Sequence, residues 1–332
     1  MPLARLPARR RLETVSRCPG CDLGPACDLR VVTLEPEHAA CRLGLFESGD
    51  VVAFRFCSSC GMVFLTPRPS EETLALYYRE TCPRNEDHTL PPDRETNPRY
   101  RRRQRARFGR LARLASRHAA RPKVVADLGA LDGASLVPFL ARGARAIAVD
   151  PGFLSRDAAD RRIEHRDSLA ALRERGPAPD VVLSTQTFEH LGDPLAMARE
   201  IAATLVDGGV AVIEVPYDLL EMGFLFDAGA HVPELHPEHL NFYSSWSLAS
   251  LMAHAGLELQ ELRVGAQIHA YGGLIPSITA VGRRTPQPAA PVAPRGHSLA
   301  ELPRVIDGDR WRVHVEQQRL KVLGVLTRRG RW

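Results

Sequence analysis

Residues Val124–Gly133 read VVADLGALDG, and residues Ala146–Asp150 read AIAVD. An apolar, β-branched run ends in an acid and a glycine-bearing turn. A helix-prone stretch follows, and then a second apolar run closes on Asp150. This is the pattern of a βαβ unit carrying an acid at the tip of its second strand. In such units the first turn cradles a nucleotide-like ligand, and the second acid accepts hydrogen bonds from a ribose diol.

Working outward, the spacing predicts strands over 123–128, 144–149, 162–165, 180–184 and 210–215, with helices over 133–141, 194–205 and 245–255. Strands alternating with helices imply a doubly wound, mainly parallel sheet. Two further strands, 257–264 and 267–281, are expected to form an antiparallel hairpin across a Gly265-Ala266 turn. Residues 283–297 read as a Pro/Ala-rich linker. A last helix is expected over 309–326, docked through Trp311, Val315, Val322 and Leu326.

Ahead of this unit, two knuckle-like pairs stand out among seven cysteines: Cys18-Pro-Gly-Cys21 and Cys57-Ser-Ser-Cys60-Gly61. Two such pairs supply the four thiolates of a closed, structural, tetrahedral zinc site. Four thiolates leave no open position for catalysis, and two pairs argue against a redox dithiol. Residues 51–56, VVAFRF, read as a strand leading into the second pair. Ser70 opens a short helix before Tyr77 and Tyr78, and the polar, Pro-rich stretch from Thr81 to Pro98 reads as a loop or lid. The composition thus divides the chain into a zinc-binding module over 1–98, a cofactor domain over 99–282 and a linker with a terminal helix over 283–332.

The net charge of +5 rests on arginine, since Lys123 and Lys321 are the only lysines. Its densest cluster, RYRRRQRARFGRLAR over 99–113, places Tyr100, Phe108, Leu111 and Leu114 at helical spacing. That describes an amphipathic helix with a solvated arginine face, with phosphate binding as the second reading. No aromatic and basic interleaving points to nucleic acid. No apolar run is long enough to span a bilayer, and the basic N-terminus lacks the apolar core of a secretory signal, so a cytoplasmic protein is expected.

The order of motifs resembles that of class I S-adenosylmethionine (SAM)-dependent methyltransferases, whose sheet has seven strands in a Rossmann-like arrangement. Asp127-Leu128-Gly129 matches their first motif, Asp150 the ribose-binding acid, and Asp167-Ser168 the adenine-contacting pair. Ser184–Leu191, STQTFEHL, matches the fourth-strand motif, and Leu205–Gly209 the turn before strand five. The resemblance implies SAM contacts from Asp127, Gly129, Ala130, Leu131, Asp150, Asp167, Ser168, Thr185 and Gln186. The cysteine pairs ahead, with Pro233–Ser245 (PELHPEHLNFYSS) and His269–Leu274 (HAYGGL) behind, are similar to the zinc-binding nucleotide-sugar C-methyltransferases, in which a Glu-His pair carries the proposed base.

That likeness implies methylation of a small molecule, a sugar or natural-product intermediate, at carbon or oxygen. His239 would be the base and Glu238 its orienting carboxylate, with His236 and Tyr243 assisting. Glu189-His190 is read as turn structure beside the cofactor. A metal held by His231, His236 and His239 with Glu234 and Glu238 is the lesser reading of the histidine cluster. Two departures stand out. Leu131 occupies a position where the family has glycine and is expected to crowd the methionine end of the cofactor. The further C-terminal α/β domain of the sugar enzymes has no counterpart here. An RNA methyltransferase with a zinc ribbon is the competing enzyme class, but the Asn-Pro-Pro-Tyr type of motif used for nucleobase amines is absent. A non-catalytic relic of the fold is the third reading.

Overall fold

The computed structural model describes residues 11–23, 26–78, 97–151, 158–227, 236, 238–268, 273–286 and 297–322. The first part of the chain forms strands β1 (Leu12–Glu13), β2 (Ala26–Thr33), β3 (Val51–Cys57), β4 (Val63–Thr66) and β5 (Arg68–Pro69), with short helices α1 (Ala39–Arg42) and α2 (Glu71–Leu76). Ser70 caps α2 by accepting from the Thr73 amide, as its position suggested.

The second part runs α3 (Pro98–His118), β6 (Val124–Leu128), α4 (Val137–Leu140), β7 (Arg145–Val149), β8 (Glu164–Arg166), α5 (Leu169–Arg175), β9 (Val181–Thr185), α6 (Pro194–Thr204), β10 (Val210–Pro216), β11 (Asn241–Phe242), α7 (Ser245–His254), β12 (Leu257–Ile268), β13 (Leu274–Arg284) and α8 (Leu302–Val322). Seven of these strands form one sheet in the order β12-β13-β10-β9-β6-β7-β8. The central pairs are parallel, and β13 runs antiparallel to both of its neighbours. Strands β6, β7, β9 and β10 are buried almost throughout, which is why they read as unbroken apolar runs. The order of strands reverses between β6 and β9, so the ligand crevice of such a sheet lies outside their carboxyl ends.

Several expectations are corrected. Gly265 and Ala266 are not a turn. They pair with Ser277 and Pro276 in mid-ladder, which continues to the Ile268–Leu274 pair. The helix expected over 133–141 is a 3₁₀ turn, Ala134–Leu136, followed by the single turn α4. Arg283 and Arg284 belong to β13 rather than to a linker. The arginine face of α3 is not wholly solvated: Arg107 lies 3.6 Å from Glu214, Arg110 bonds Glu316, and Arg117 reaches Glu261 at 3.2 Å.

Helix α8 docks by a face other than the expected one. Trp311 is 69% exposed and Val315 43%, whereas Leu302, Ile306, Val313 and Leu320 are buried. These four recur at helical spacing with Asp309, whose carboxylate is buried between two hydroxyls. Tyr217 and Ser245 each donate to its Oδ2 at 2.8 Å. The backbone of Val322 ends this helix, and Leu326 lies outside the described residues.

The N-terminal module is not closed on itself. Its sheet has the order β11-β4-β3-β2, so its edge strand comes from a segment more than 170 residues later, after β10. Among the described residues no helix is long and apolar enough to cross a membrane.

Asp309→Ala removes the acceptor of two buried hydroxyls. It should lower the unfolding free energy by about 3 kcal/mol, read from urea denaturation.

Candidate functional site

Two centres are built on this framework. The first is the cysteine cluster. Cys18, Cys21, Cys57 and Cys60 are all buried, and their sulfurs converge: Cys18 and Cys60 are 3.5 Å apart, and Cys21 and Cys57 are 3.7 Å apart. Four sulfurs ~2.3 Å from a tetrahedral ion would be separated by ~3.8 Å, so the set matches that geometry and not a disulfide. The amides of Gly20 and Leu23 donate to Cys18 and Cys21 at 3.4 Å each, as expected of thiolates in a knuckle. Cys27 and Cys41 stand apart from the cluster, and Cys82 lies outside the described residues.

The second centre lies at the carboxyl ends of β6, β7, β9 and β10. Gly129 follows β6 with φ 74°, and a Cβ built there would stand 2.3 Å from Thr187 Oγ1. The hydroxyls of Ser184 and Thr187 donate to the Leu128 carbonyl at 3.3 and 3.4 Å, tying the tips of β6 and β9 together. Asp150, at the tip of β7, accepts from the Leu131 amide at 3.0 Å. Leu131 adopts φ 53° and is 54% exposed, so its side chain turns to solvent and does not fill the hollow. Asp127 is buried and accepts from the Ser135 hydroxyl, while its Oδ1 has no hydrogen-bond partner. Burial pushes its carboxyl up to about 7, against the Ser135 bond.

The remaining predicted cofactor residues divide. Ala130 is buried behind the turn. Thr185 ends β9, and Gln186 bends away with φ 54°, its Nε2 buried and unpartnered. Asp167 is largely exposed, with His165 3.5 Å away, and Ser168 spends its hydroxyl capping α5.

The histidine cluster sits over the tips of β9 and β10. His239 is buried, and its Nδ1 lies 2.8 Å from Asp218 Oδ2. The orienting carboxylate is therefore Asp218 and not Glu238. Burial disfavours the imidazolium, but the charges of Asp218, Glu189 and Glu238 outweigh it and raise the His239 pKa above the ordinary value. His236 stacks on His239 with ring centroids 4.7 Å apart, and His190 meets it edge-on at 4.8 Å.

Glu238 is buried and presents its backbone carbonyl to His190 Nδ1 at 3.3 Å. Glu189 is 1% exposed, and neither carboxylate oxygen has a partner; burial pushes it up to about 8. Tyr243 donates to the Phe188 carbonyl at 3.2 Å, a structural bond that leaves it no free hydroxyl proton for the cluster.

Asp218 was not foreseen from sequence, and Glu189 was read as turn structure. The available signal was positional: each is an acid placed just after a strand that ends at the crevice. His231, Glu234 and His269 lie outside the described residues.

Residues 99–262 match the family model described as a methyltransferase domain, on a mainly parallel sheet with the seven strands and terminal antiparallel hairpin that the resemblance implied. The chain carries a methyltransferase domain.

Solved structures similar to this methyltransferase include the 1,6-didemethyltoxoflavin N1-methyltransferase of Burkholderia thailandensis, bound to 1,6-didemethyltoxoflavin and S-adenosylhomocysteine (22% identity, 54% of this chain and 79% of that one, TM-score 0.41). The magnesium protoporphyrin IX methyltransferase of Synechocystis is similar over 59% of this chain and 89% of its own (14% identity, TM-score 0.43). A Haloferax volcanii methyltransferase complexed with the activator Trm112 aligns at 16% identity over 60% and 99% (TM-score 0.42). A search of curated proteins finds no match for this methyltransferase.

The raised carboxyl of Asp127 has a consequence for folding. Its native pKa of about 7 exceeds the unfolded value near 3.9, so the native state holds this proton more tightly. Stability from this group is fully present at low pH and declines as pH rises from about 4 through 7, by roughly 1.4 kcal/mol per unit. Asp127→Asn should flatten that limb, measured by denaturant unfolding at pH 5 and 7.5.

Proposed function

We propose that this enzyme moves the SAM methyl group onto a small-molecule acceptor, a sugar or natural-product intermediate, at carbon or oxygen, with His239 as the base. The observation carrying the reading is the 2.8 Å contact of His239 Nδ1 with Asp218. It holds the proton on Nδ1 and leaves the Nε2 lone pair to take a proton from the acceptor. The developing imidazolium is offset by Asp218, with Glu238 close by. His236, stacked against His239, holds the ring plane.

Bound SAM supplies an activated methyl; the protein's share is to orient donor and acceptor. The turn after β6 fits this role, because Gly129, where a Cβ would run into Thr187, lets the tips of β6 and β9 close together, and Asp150 stands at the tip of the neighbouring strand. Asp150 is assigned to the ribose, with Asp127, Ala130, Leu131, Thr185 and Gln186 lining the cofactor and Asp167 and Ser168 at its adenine end. The buried, unpartnered Nε2 of Gln186 and Oδ1 of Asp127 supply hydrogen-bonding groups beside this crevice.

The four-cysteine cluster is assigned to structural zinc. An ion there would anchor the module whose apolar residues Val52, Phe54 and Leu65 line a small cavity reaching His236 and His239. The module is thus read as one wall of the acceptor pocket, within a soluble, cytoplasmic enzyme of secondary metabolism.

Incubation with labelled SAM and a panel of nucleotide sugars and natural-product scaffolds should identify an acceptor. On it, His239→Gln should lose at least about 100-fold in kcat with SAM affinity unchanged. Retained turnover would overturn the assignment. Asp218→Asn should shift the acid limb of the kcat/KM profile to lower pH, because the carboxylate that raises the His239 pKa is gone. Zinc analysis should find one ion in the cysteine cluster, and Cys57→Ser should lower the melting temperature by several degrees.

A further inference from the structure

The three side chains Glu189, His190 and His239 each bring one ligand atom into a group whose members all lie within 4.8 Å of one another. Glu189 Oε1 and His190 Nε2 are 3.7 Å apart. Ligands ~2.1 Å from a shared ion sit ~3–3.5 Å apart, so a small inward rotation of these side chains closes the set.

Three features separate this group from a chance cluster. Glu189 is buried with no hydrogen bond to either oxygen, and His190 Nε2 stands off at 3.7 Å, an arrangement that costs free energy unless something positive or proton-donating meets it. Each histidine has its Nδ1 engaged from behind: His239 by the Asp218 carboxylate at 2.8 Å, His190 by the Glu238 carbonyl at 3.3 Å. That is the outer support which metal-ligating histidines use to fix the tautomer and aim Nε2 at the ion. Finally, two imidazoles and one carboxylate form a donor set suited to borderline divalent ions such as zinc, cobalt or iron(II), with positions left open for water or substrate oxygen.

We propose that Glu189, His190 and His239 bind a divalent transition-metal ion, with Asp218 and the Glu238 carbonyl as outer supports. The site is separate from the cysteine cluster. Its functional meaning rests on the reading of His239 as the base. One lone pair on Nε2 serves either the ion or the acceptor proton, so occupancy suppresses base catalysis at that atom.

The test uses the full-length protein with zinc already in its cysteine cluster. Titration with cobalt(II), followed by calorimetry and visible absorption, should show one further ion per chain with a nitrogen/oxygen spectrum lacking thiolate charge-transfer bands. Glu189→Gln and His190→Ala, each checked for native circular dichroism, should weaken it at least 100-fold. Asp218→Asn should weaken it about 10- to 100-fold. Absence of a second ion, or unchanged affinity in both ligand variants, would overturn the site. The activity arm separates this inference from the base assignment. Turnover falling with occupancy supports both. Turnover rising with occupancy supports the ion site and sinks His239 as base.

Discussion

The two-residue strand β11 is the constraint on which the rest depends. Asn241 and Phe242 pair with Phe64 and Val63, and the Leu65 amide donates to the Leu240 carbonyl at 3.0 Å, so a loop of the methyltransferase half completes the sheet of the N-terminal module. On its other side the same segment grips the turn after β9. The Leu240 amide donates to the Glu189 carbonyl at 2.7 Å, and the Asn241 side-chain amide donates to the carbonyls of Phe188 and Leu191. Glu189, His190, Glu238 and His239 are therefore positioned by one backbone clamp. The four-cysteine cluster of the module is coupled to that clamp through the sheet the two share.

This arrangement explains why a small module stays attached to a fold that is complete without it. A five-strand module with two strands of only two residues buries too little to be stable alone, and metal or partner contacts usually supply the remainder. Here β11 supplies the contact with the rest of the chain, and the four cysteines would supply the ligands for a metal. The aromatic contact between Phe54 and Phe242, with centroids 5.5 Å apart, continues the module's core across the junction. On the opposite flank α8 plays a comparable part. Its Asp309 fastens Tyr217, at the end of β10, to Ser245, at the start of α7, so the strand that delivers Asp218 is held from both sides.

What was legible in the sequence follows from these interactions. Strands buried on both faces leave apolar runs that a reader can find, and paired cysteines leave a spacing, so the parallel sheet and the four-sulfur cluster were readable. Asp150 was readable because it ends a strand. Strand β2 was not, since its residues ACDLRVVT are partly exposed on an edge and follow no clean alternation. The docking face of α8 was misjudged because Trp311 is the most apolar-looking residue of a helix whose true seam begins earlier, at Leu302. Asp218 was invisible because its partner lies across a loop, and nothing in linear spacing records that approach.

The same asymmetry bears on Leu131. A side chain in place of glycine would obstruct the crevice only if the turn kept its Cβ inward. The turn instead places this residue in the left-handed region, where the side chain leaves the crevice and the amide still reaches Asp150. The strain of φ 53° at a γ-branched residue costs of order 1 kcal/mol. In this conformation the Leu131 amide donates to the carboxylate at the tip of β7. Position 131 thus presents its amide to Asp150, as glycine would, while the leucine side chain lies at the rim of the hollow.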